Sequence, residues 1–275
     1  MDLVAKLIKK PVIFKGITGL TPSEFRQVVK KLTRPFRNKY IKNKKLPGRP
    51  TGIKGIENKL ICLLTYYRTY TTQLFVGFLF RVDAATVCRT IKRLEPLLAR
   101  IMKIKKERKI SQQEMHTLIV DCTEQPIRRP KKNQKTFYSG KKKKHTTKTE
   151  VIVNGEGKIC HVSPPSPGSV HDIKIRKKGI KMPPCQRILA ESGYQGQQKK
   201  YPNICIPIKK PRGGKLDRKA KIHNKKLARQ RIIVEHKFAQ MKVFQILAQI
   251  YRNQLNSYGY KTTIVAGLVN MKNGF

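Results

Sequence analysis

Acidic residues are scarce in this chain, with 15 Asp and Glu among 275 residues against 62 Lys and Arg. Four of them fall where the pattern could put them to chemical use. Asp121 follows the apolar run Leu118-Ile119-Val120, and Glu191 follows Arg187-Ile188-Leu189-Ala190. Glu235 lies in the helical pattern Arg231-Ile232-Ile233-Val234-Glu235-His236, and Asp172 closes the loop that begins at Pro164. A carboxylate just past a buried strand is fixed by the sheet, and that rigidity suits a metal ligand. Carboxylates converging in a cationic domain would hold one or two Mg2+ ions. Such ions activate water or a 3′-hydroxyl and stabilise the entering and leaving oxygens of phosphoryl transfer. Each acid also has a plainer use. Asp121 could cap a turn, Asp172 a helix, Glu191 could pair with a lysine, and Glu235 with Arg231 one turn back.

These acids need a sheet to bring them together, and the second half of the chain has the pattern of one. His116 to Cys122 is the first expected strand and Thr149 to Val153 the second. Asn154-Gly155-Glu156-Gly157 is a hairpin signal, after which Lys158 to Ser163 returns as a third strand. The loop from Pro164 to Asp172 leads into a helix. Arg187 to Ala190 and Ile204 to Ile208 give a fourth and fifth strand, followed by a long helix from about Arg218 to Leu247. A three-stranded meander followed by alternating helix and strand is an α/β pattern. It is compatible with a ribonuclease H-like mixed sheet flanked by helices. On the long helix Glu235 lies about 100° around from Val234, beside the stripe of Val234, Phe238 and Met241, so it could reach the sheet edge.

The first half is helical. Residues 1–20 carry little signal. Thr21-Pro22-Ser23-Glu24 is a capping-box start, and Phe25, Val28, Val29 and Leu32 predict a helix to about Thr33, ended by Pro35. Residues 37–54 read as a basic linker. Its Gly48-Arg49-Pro50 core is similar to an AT-hook, whose arginine enters a narrow minor groove, and general phosphate contact is the plainer reading. Leu60, Leu63, Leu64 and Tyr67 mark one helix, and Leu74, Phe75, Phe78 and Leu79 a second. A third is capped by Asp83 and starts at Ala84. On it Val87, Ile91, Leu94 and Leu98 form one stripe, opposite Arg89, Lys92 and Arg93. Three short helices with a basic face on the last suit a helix-turn-helix, whose recognition helix enters the major groove. A helical bundle with a solvated charged face is the bland alternative. Pro96 is expected to kink or restart the third helix, and Lys103 to Lys109 to connect it onward. The domains are therefore 1–54 (helix and basic linker), 55–110 (all-α helix-turn-helix) and 111–275 (α/β catalytic domain).

The formal charge of +47 implies a polyanion partner, with nucleic acid the usual one. The longest apolar run, Leu74 to Phe80, is too short to span a bilayer, and lysines interrupt the apolar N-terminus. The chain reads as intracellular and soluble, with no membrane and no small-molecule substrate. Six scattered cysteines without a CxxC pair are expected to pack as small apolar residues rather than bind zinc.

Five segments in order, VDCTEQPI, YSGKKKKHTTKTEV, PGSVHD, AESGYQG and RIIVEHKFAQMKVFQIL, resemble DDE-type transposases. The resemblance is to bacterial insertion-sequence transposases whose nuclease domain is related to that of eukaryotic Harbinger transposases. It runs from the helix-turn-helix, about residues 55–100, to Val265-Ala266-Gly267-Leu268-Val269-Asn270. It implies a ribonuclease H-like, Mg2+- or Mn2+-dependent nuclease that binds terminal inverted repeats, nicks DNA and joins the element's end to a target. The expected partner is double-stranded DNA, with a homodimer forming on it. The first catalytic acid maps to Asp121 and the last to Glu235. The middle one, Asp in the family's A-D-x-G-Y motif, is here Glu191. Its extra methylene moves the oxygens by about an ångström, and misplacement on that scale can cost about 100-fold in rate. A decayed copy that binds DNA without cutting it is therefore the alternative. Asp172 is a further ligand or a support, Lys141, Lys142, Lys143 and Lys144 grip phosphate, and His171 and His236 stand behind the acids.

Overall fold

The computed structural model describes residues 3–41, 52–102, 116–180, 182 and 185–275. Two compact units are present. One takes the described residues up to 102 together with Met241–Gln249 and Tyr260–Phe275, and the other takes residues 116–240 with Ile250–Gly259. The C-terminal segments that the sequence assigned to the catalytic domain are thus split, and most of the last helix clusters with the helical unit.

The helical unit begins with α1 (Leu3–Ile8) and α2 (Pro11–Thr18), which the sequence did not announce. α3 (Pro22–Tyr40) starts at the expected capping box, where Thr21 and Glu24 each accept from the other's backbone N–H. It does not end near Thr33. Pro35 lies inside it, and the helix continues to Tyr40, whose ring packs on Phe36 and whose hydroxyl donates to the Arg93 carbonyl. A proline costs the turn one hydrogen bond and a clash, about 3 kcal/mol. Here those downstream contacts offset it.

α4 (Ile56–Thr69), α5 (Gln73–Phe80) and α6 (Ala84–Ile101) form the helix-turn-helix. Asp83 caps α6 through a 2.6 Å hydrogen bond from the Thr86 N–H. Val87, Ile91, Leu94 and Leu98 are buried, and Arg89, Lys92 and Arg93 are exposed. α6 does not restart at Pro96, because the apolar stripe runs straight through it. Glu95 on α6 is buried with Lys261 of α10 (Tyr258–Lys272) at 2.8 Å, and the Tyr67 hydroxyl also donates to it.

In the second unit the strands are β1 (Thr117–Pro126), β2 (Tyr138–Ser139), β3 (Lys144–Asn154), β4 (Ile159–Val162), β5 (Ser166–Pro167), β6 (Arg187–Ala190) and β7 (Ile204–Cys205). The helices are α7 (Gln134–Phe137), α8 (Asp172–Lys178) and α9 (Arg218–Lys242), the last followed by a 3-10 turn at Gln245–Leu247. The sheet order is β2-β3-β1-β6-β7, with β4 and β5 both on β3. β3 and β4 pair antiparallel through the hairpin, whereas β6 and β7 add parallel beside β1. This is the mixed, helix-flanked, ribonuclease H-like sheet. Two strands run longer than the sequence pattern suggested. β1 passes Cys122 to Pro126 and β3 begins at Lys144, because the threonine- and glutamine-rich residues between them still pair across the ladder. β7 is shorter, since Pro207 denies the next ladder donor.

One face of the sheet carries the core cluster Leu118, Val120, Ile152, Ile188, Ala190 and Tyr194, with Cys122 packed against it. The glycine of PGSVHD has a steric reason. A Cβ on Gly168 would meet Thr146 Oγ1 at 2.0 Å, so β5 can lie against β3 only without a side chain there.

Candidate active site

The register of the two central strands places the first pair of acids. β1 and β6 run parallel with Val120 opposite Ala190, so Asp121 and Glu191 each follow the last paired residue, side by side. Loops at the carboxyl ends of parallel strands are where α/β folds bind ligands. Asp172, the first residue of α8, joins them. It accepts a 3.1 Å hydrogen bond from the Lys148 ammonium, which also donates to the Val170 carbonyl. A Cβ on Gly193 would stand 3.3 Å from Asp172 Oδ2, so the glycine lets this carboxylate approach the loop that carries Glu191.

Burial pushes the Asp121 carboxyl up to about 6. Arg231 and the Cys122 N–H oppose the rise, and the negative charges of Glu191 and Asp172 add to it. Glu191 and Asp172 are therefore close enough to Asp121 for their charges to be felt there. Each of the three acids also has a cation beside it. Arg231 Nη2 lies 3.0 Å from Asp121 Oδ2, Lys148 is on Asp172, and Lys141 Nζ stands 4.0 Å from Glu191 Oε1. The Cys122 N–H donates to Asp121 Oδ1 at 2.8 Å.

Glu235 is exposed on α9, one turn beyond Arg231, and Arg231 pairs with Asp121 and not with it. Among the described residues no cluster of three or more His, Cys, Asp or Glu is gathered as a metal cage. The donor chemistry nevertheless fits a hard divalent cation: the acids around Asp121 are all carboxylates, and the charges of Glu191 and Asp172 disfavour its ionised form where it is buried. Lys141, Lys142, Lys143 and Lys144 are exposed before and at the start of β3, on the flank where Lys141 reaches Glu191. His171 is the exposed residue preceding α8, and His236 is exposed on α9; neither ring makes a hydrogen bond to a candidate acid. Arg49 lies outside the described residues.

Three charged residues were not foreseen here. In the sequence Arg231 reads only as a partner for Glu235. Glu150 and Arg176 were passed over, although both are buried and their side chains meet at 2.7 Å. The signal for Glu150 was present, as an acid at an inward position of an otherwise apolar strand.

The description DDE superfamily endonuclease matches residues 120–270, and the helix-turn-helix of the same superfamily matches residues 55–104. The chain belongs to the DDE superfamily endonucleases. It is 33% identical over 262 residues to a protein of Microchaete diplosiphon named "Probable transposase for insertion sequence element IS702", covering 94% of this chain and 93% of that one. It is also 28% identical over 243 residues to a Streptomyces albus G protein named "Putative transposase for insertion sequence element IS112", covering 86% of each. No solved structure matches. As a DDE superfamily member the chain carries a DNA-binding helix-turn-helix ahead of a nuclease-type domain. Among the described residues no helix is long and apolar enough to cross a membrane.

Proposed function

We propose that this protein is the transposase of an insertion element: it binds the element's terminal inverted repeats and catalyses metal-dependent strand cleavage and strand transfer. The observation that carries the reading is the pairing of Asp121 and Glu191 at the ends of adjacent parallel strands, with Asp172 close to both.

In this reading Asp121, Glu191 and Glu235 hold a divalent cation, Mg2+ or Mn2+, with Asp172 as a further ligand or support. Such a cation supplies activation of the attacking oxygen and neutralisation of charge on the phosphodiester. The chain does the rest. Asp121 is aimed by β1 and by the Cys122 N–H, and Lys148 fixes the direction of Asp172. Arg231 balances Asp121 when the site is otherwise unoccupied by charge, and becomes available to a DNA phosphate once Asp121 has another partner. Lys141 to Lys144 hold backbone phosphates beside the site. Arg89, Lys92 and Arg93 face the major groove from α6, and Arg49 adds a minor-groove or phosphate contact. His171 and His236 support the acids from outside. In cleavage, a water oxygen bonds to phosphorus as the P–O3′ bond breaks, leaving a 3′-hydroxyl. In transfer that hydroxyl attacks a target phosphodiester and displaces a new 3′-oxygen. Two protomers acting on paired ends make the homodimer on DNA, and the protein works where DNA is, inside the cell.

A second reading, a decayed copy that binds but does not cut, is favoured by one observation. Glu191, in the family's Asp position, leans toward Lys141. Both readings are tested with DNA carrying the element's own ends, unrelated DNA and unrelated RNA, at stated salt because affinity falls steeply with it. Preferential end binding with Mg2+-dependent nicking supports the transposase. End binding without nicking, restored by Glu191→Asp, supports decay. Equal affinity for unrelated RNA overturns both.

A further inference from the structure

Behind the candidate site lies a buried polar group that no role above requires. Glu150, on β3, is directly opposite Cys122 of β1 in the antiparallel register. Because side chains alternate along a strand, Glu150 and Cys122 share one face of the sheet while Asp121 turns to the other. Glu150 Oε1 accepts from Arg176 Nη1 at 2.7 Å, and both side chains are at most 1% exposed. Arg176 also donates to the Ile180 carbonyl. The Tyr194 hydroxyl is 3.3 Å from the sulfur of Cys122, the residue paired with Glu150 across the ladder.

The placement of these partners is the point. Cys122 is the residue after Asp121. Arg176 is one helical turn beyond Asp172 on α8. Tyr194 is three residues beyond Glu191, and its N–H donates to the Glu191 carbonyl at 3.0 Å. So each of the three segments that carry an acid of the site sends one neighbouring side chain to the same buried carboxylate or to its immediate partners. A buried ion pair is weak evidence of added stability, because desolvation offsets its attraction. This one is also incompletely satisfied, with Glu150 Oε2 and Arg176 Nε buried without a hydrogen-bond partner. An apolar filling would suit stability as well; it would not tie β1, α8 and the Glu191 loop to one point.

We propose that Glu150 is a positioning residue for the nuclease reaction: with Arg176 and Tyr194 it clamps the segments of Asp121, Asp172 and Glu191 at the spacing a divalent cation needs. The inference rests on the nuclease reading above. None of the three side chains touches the reacting atoms in this role.

The test uses the full-length protein and its own end DNA, with Tyr194→Phe, Glu150→Gln and the double variant. Two quantities are read against Mg2+ concentration: the cleavage rate, and the melting temperature without DNA. Tyr194→Phe keeps its ring in the core cluster and should melt near wild type in the absence of metal. Its Mg2+ midpoint should rise about tenfold in both titrations, with a smaller fall in rate at saturating metal. The double variant should resemble Glu150→Gln alone, since both remove one clamp. Midpoints equal to wild type, or a rate loss that only tracks the unfolded fraction, overturn the proposal. If Glu150→Gln does not fold, the two Tyr194→Phe titrations decide alone. Wild-type protein with neither Mg2+-dependent cleavage nor a Mg2+-dependent melting shift overturns the nuclease reading itself, and the proposal falls with it. A melting shift without cleavage leaves that titration to decide the clamp.

Discussion

Two carboxylate–arginine pairs lie close together in the second unit, and they are built differently. Glu150–Arg176 is sealed from solvent, while Asp121–Arg231 keeps 11–12% of each side chain exposed at the ends of the central strands. Burial raises both carboxyls above their ordinary range, against the pull of the neighbouring arginine. In the sealed pair Arg176 is held in place by the Ile180 carbonyl as well. The open pair has Glu191 and Asp172 beside it, so an incoming cation would relieve repulsion there and release Arg231. On the proposed function the first pair belongs to the architecture and the second to the chemistry.

The largest expected effect comes from breaking the sealed pair. Arg176→Ala leaves the Glu150 carboxyl in the core without its partner and should cost about 3–5 kcal/mol. Arg231→Ala at the open pair should cost about 1 kcal/mol or less, because water can reach Asp121. Equal losses in chemical denaturation would erase the distinction.

The next effect is a gain. Well below its ordinary value of 3.8 Asp121 is protonated in the folded and the unfolded chain and costs nothing. As pH rises through about 6 the folded chain must ionise it unfavourably, so stability present at low pH is lost. At pH 8 without divalent metal, Asp121→Asn should therefore stabilise the protein by about 2–3 kcal/mol, and by little near pH 4. A destabilised variant at pH 8 would mean that Arg231, and not burial, dominates this carboxyl.

Added Mg2+ should sharpen the contrast further. It should raise the melting temperature of wild type at pH 8 by several degrees and leave Asp121→Asn unmoved, while Arg176→Ala should still respond, from its lower baseline. The smallest effect is expected from Gly193→Ala, which presses a methyl to 3.3 Å from Asp172 Oδ2. It should cost under about 1 kcal/mol in melting yet weaken the Mg2+ response measurably.

Part of this was legible in the sequence. Leu118-Ile119-Val120 and Ile188-Leu189-Ala190 are buried strand runs, and the acids that end them had to emerge at one edge once the strands paired parallel. The Asp83 cap and the α6 stripe were readable because capping and helical periodicity are local. The prolines misled. Pro35 and Pro96 remove single hydrogen bonds, and whether a helix survives depends on packing further along it, which local pattern does not show. Glu150 and Arg231 were hidden for a related reason. Their partners are 26 and 110 residues away, and only the sheet register and the placement of α8 and α9 reveal them. Glu235 had helical spacing in its favour, yet α9 turns Arg231 toward Asp121 and leaves Glu235 exposed.

Whether Asp121 anchors a metal-dependent nuclease site is tested most directly by single-turnover cleavage of the element's own end DNA by wild type and Asp121→Asn, with end binding followed in the same samples. Wild type should show Mg2+-dependent cleavage that leaves a 3′-hydroxyl, and the variant a loss of at least about 100-fold with binding unchanged. Cleavage at the same rate by both proteins, or by wild type in excess chelator, would contradict that role.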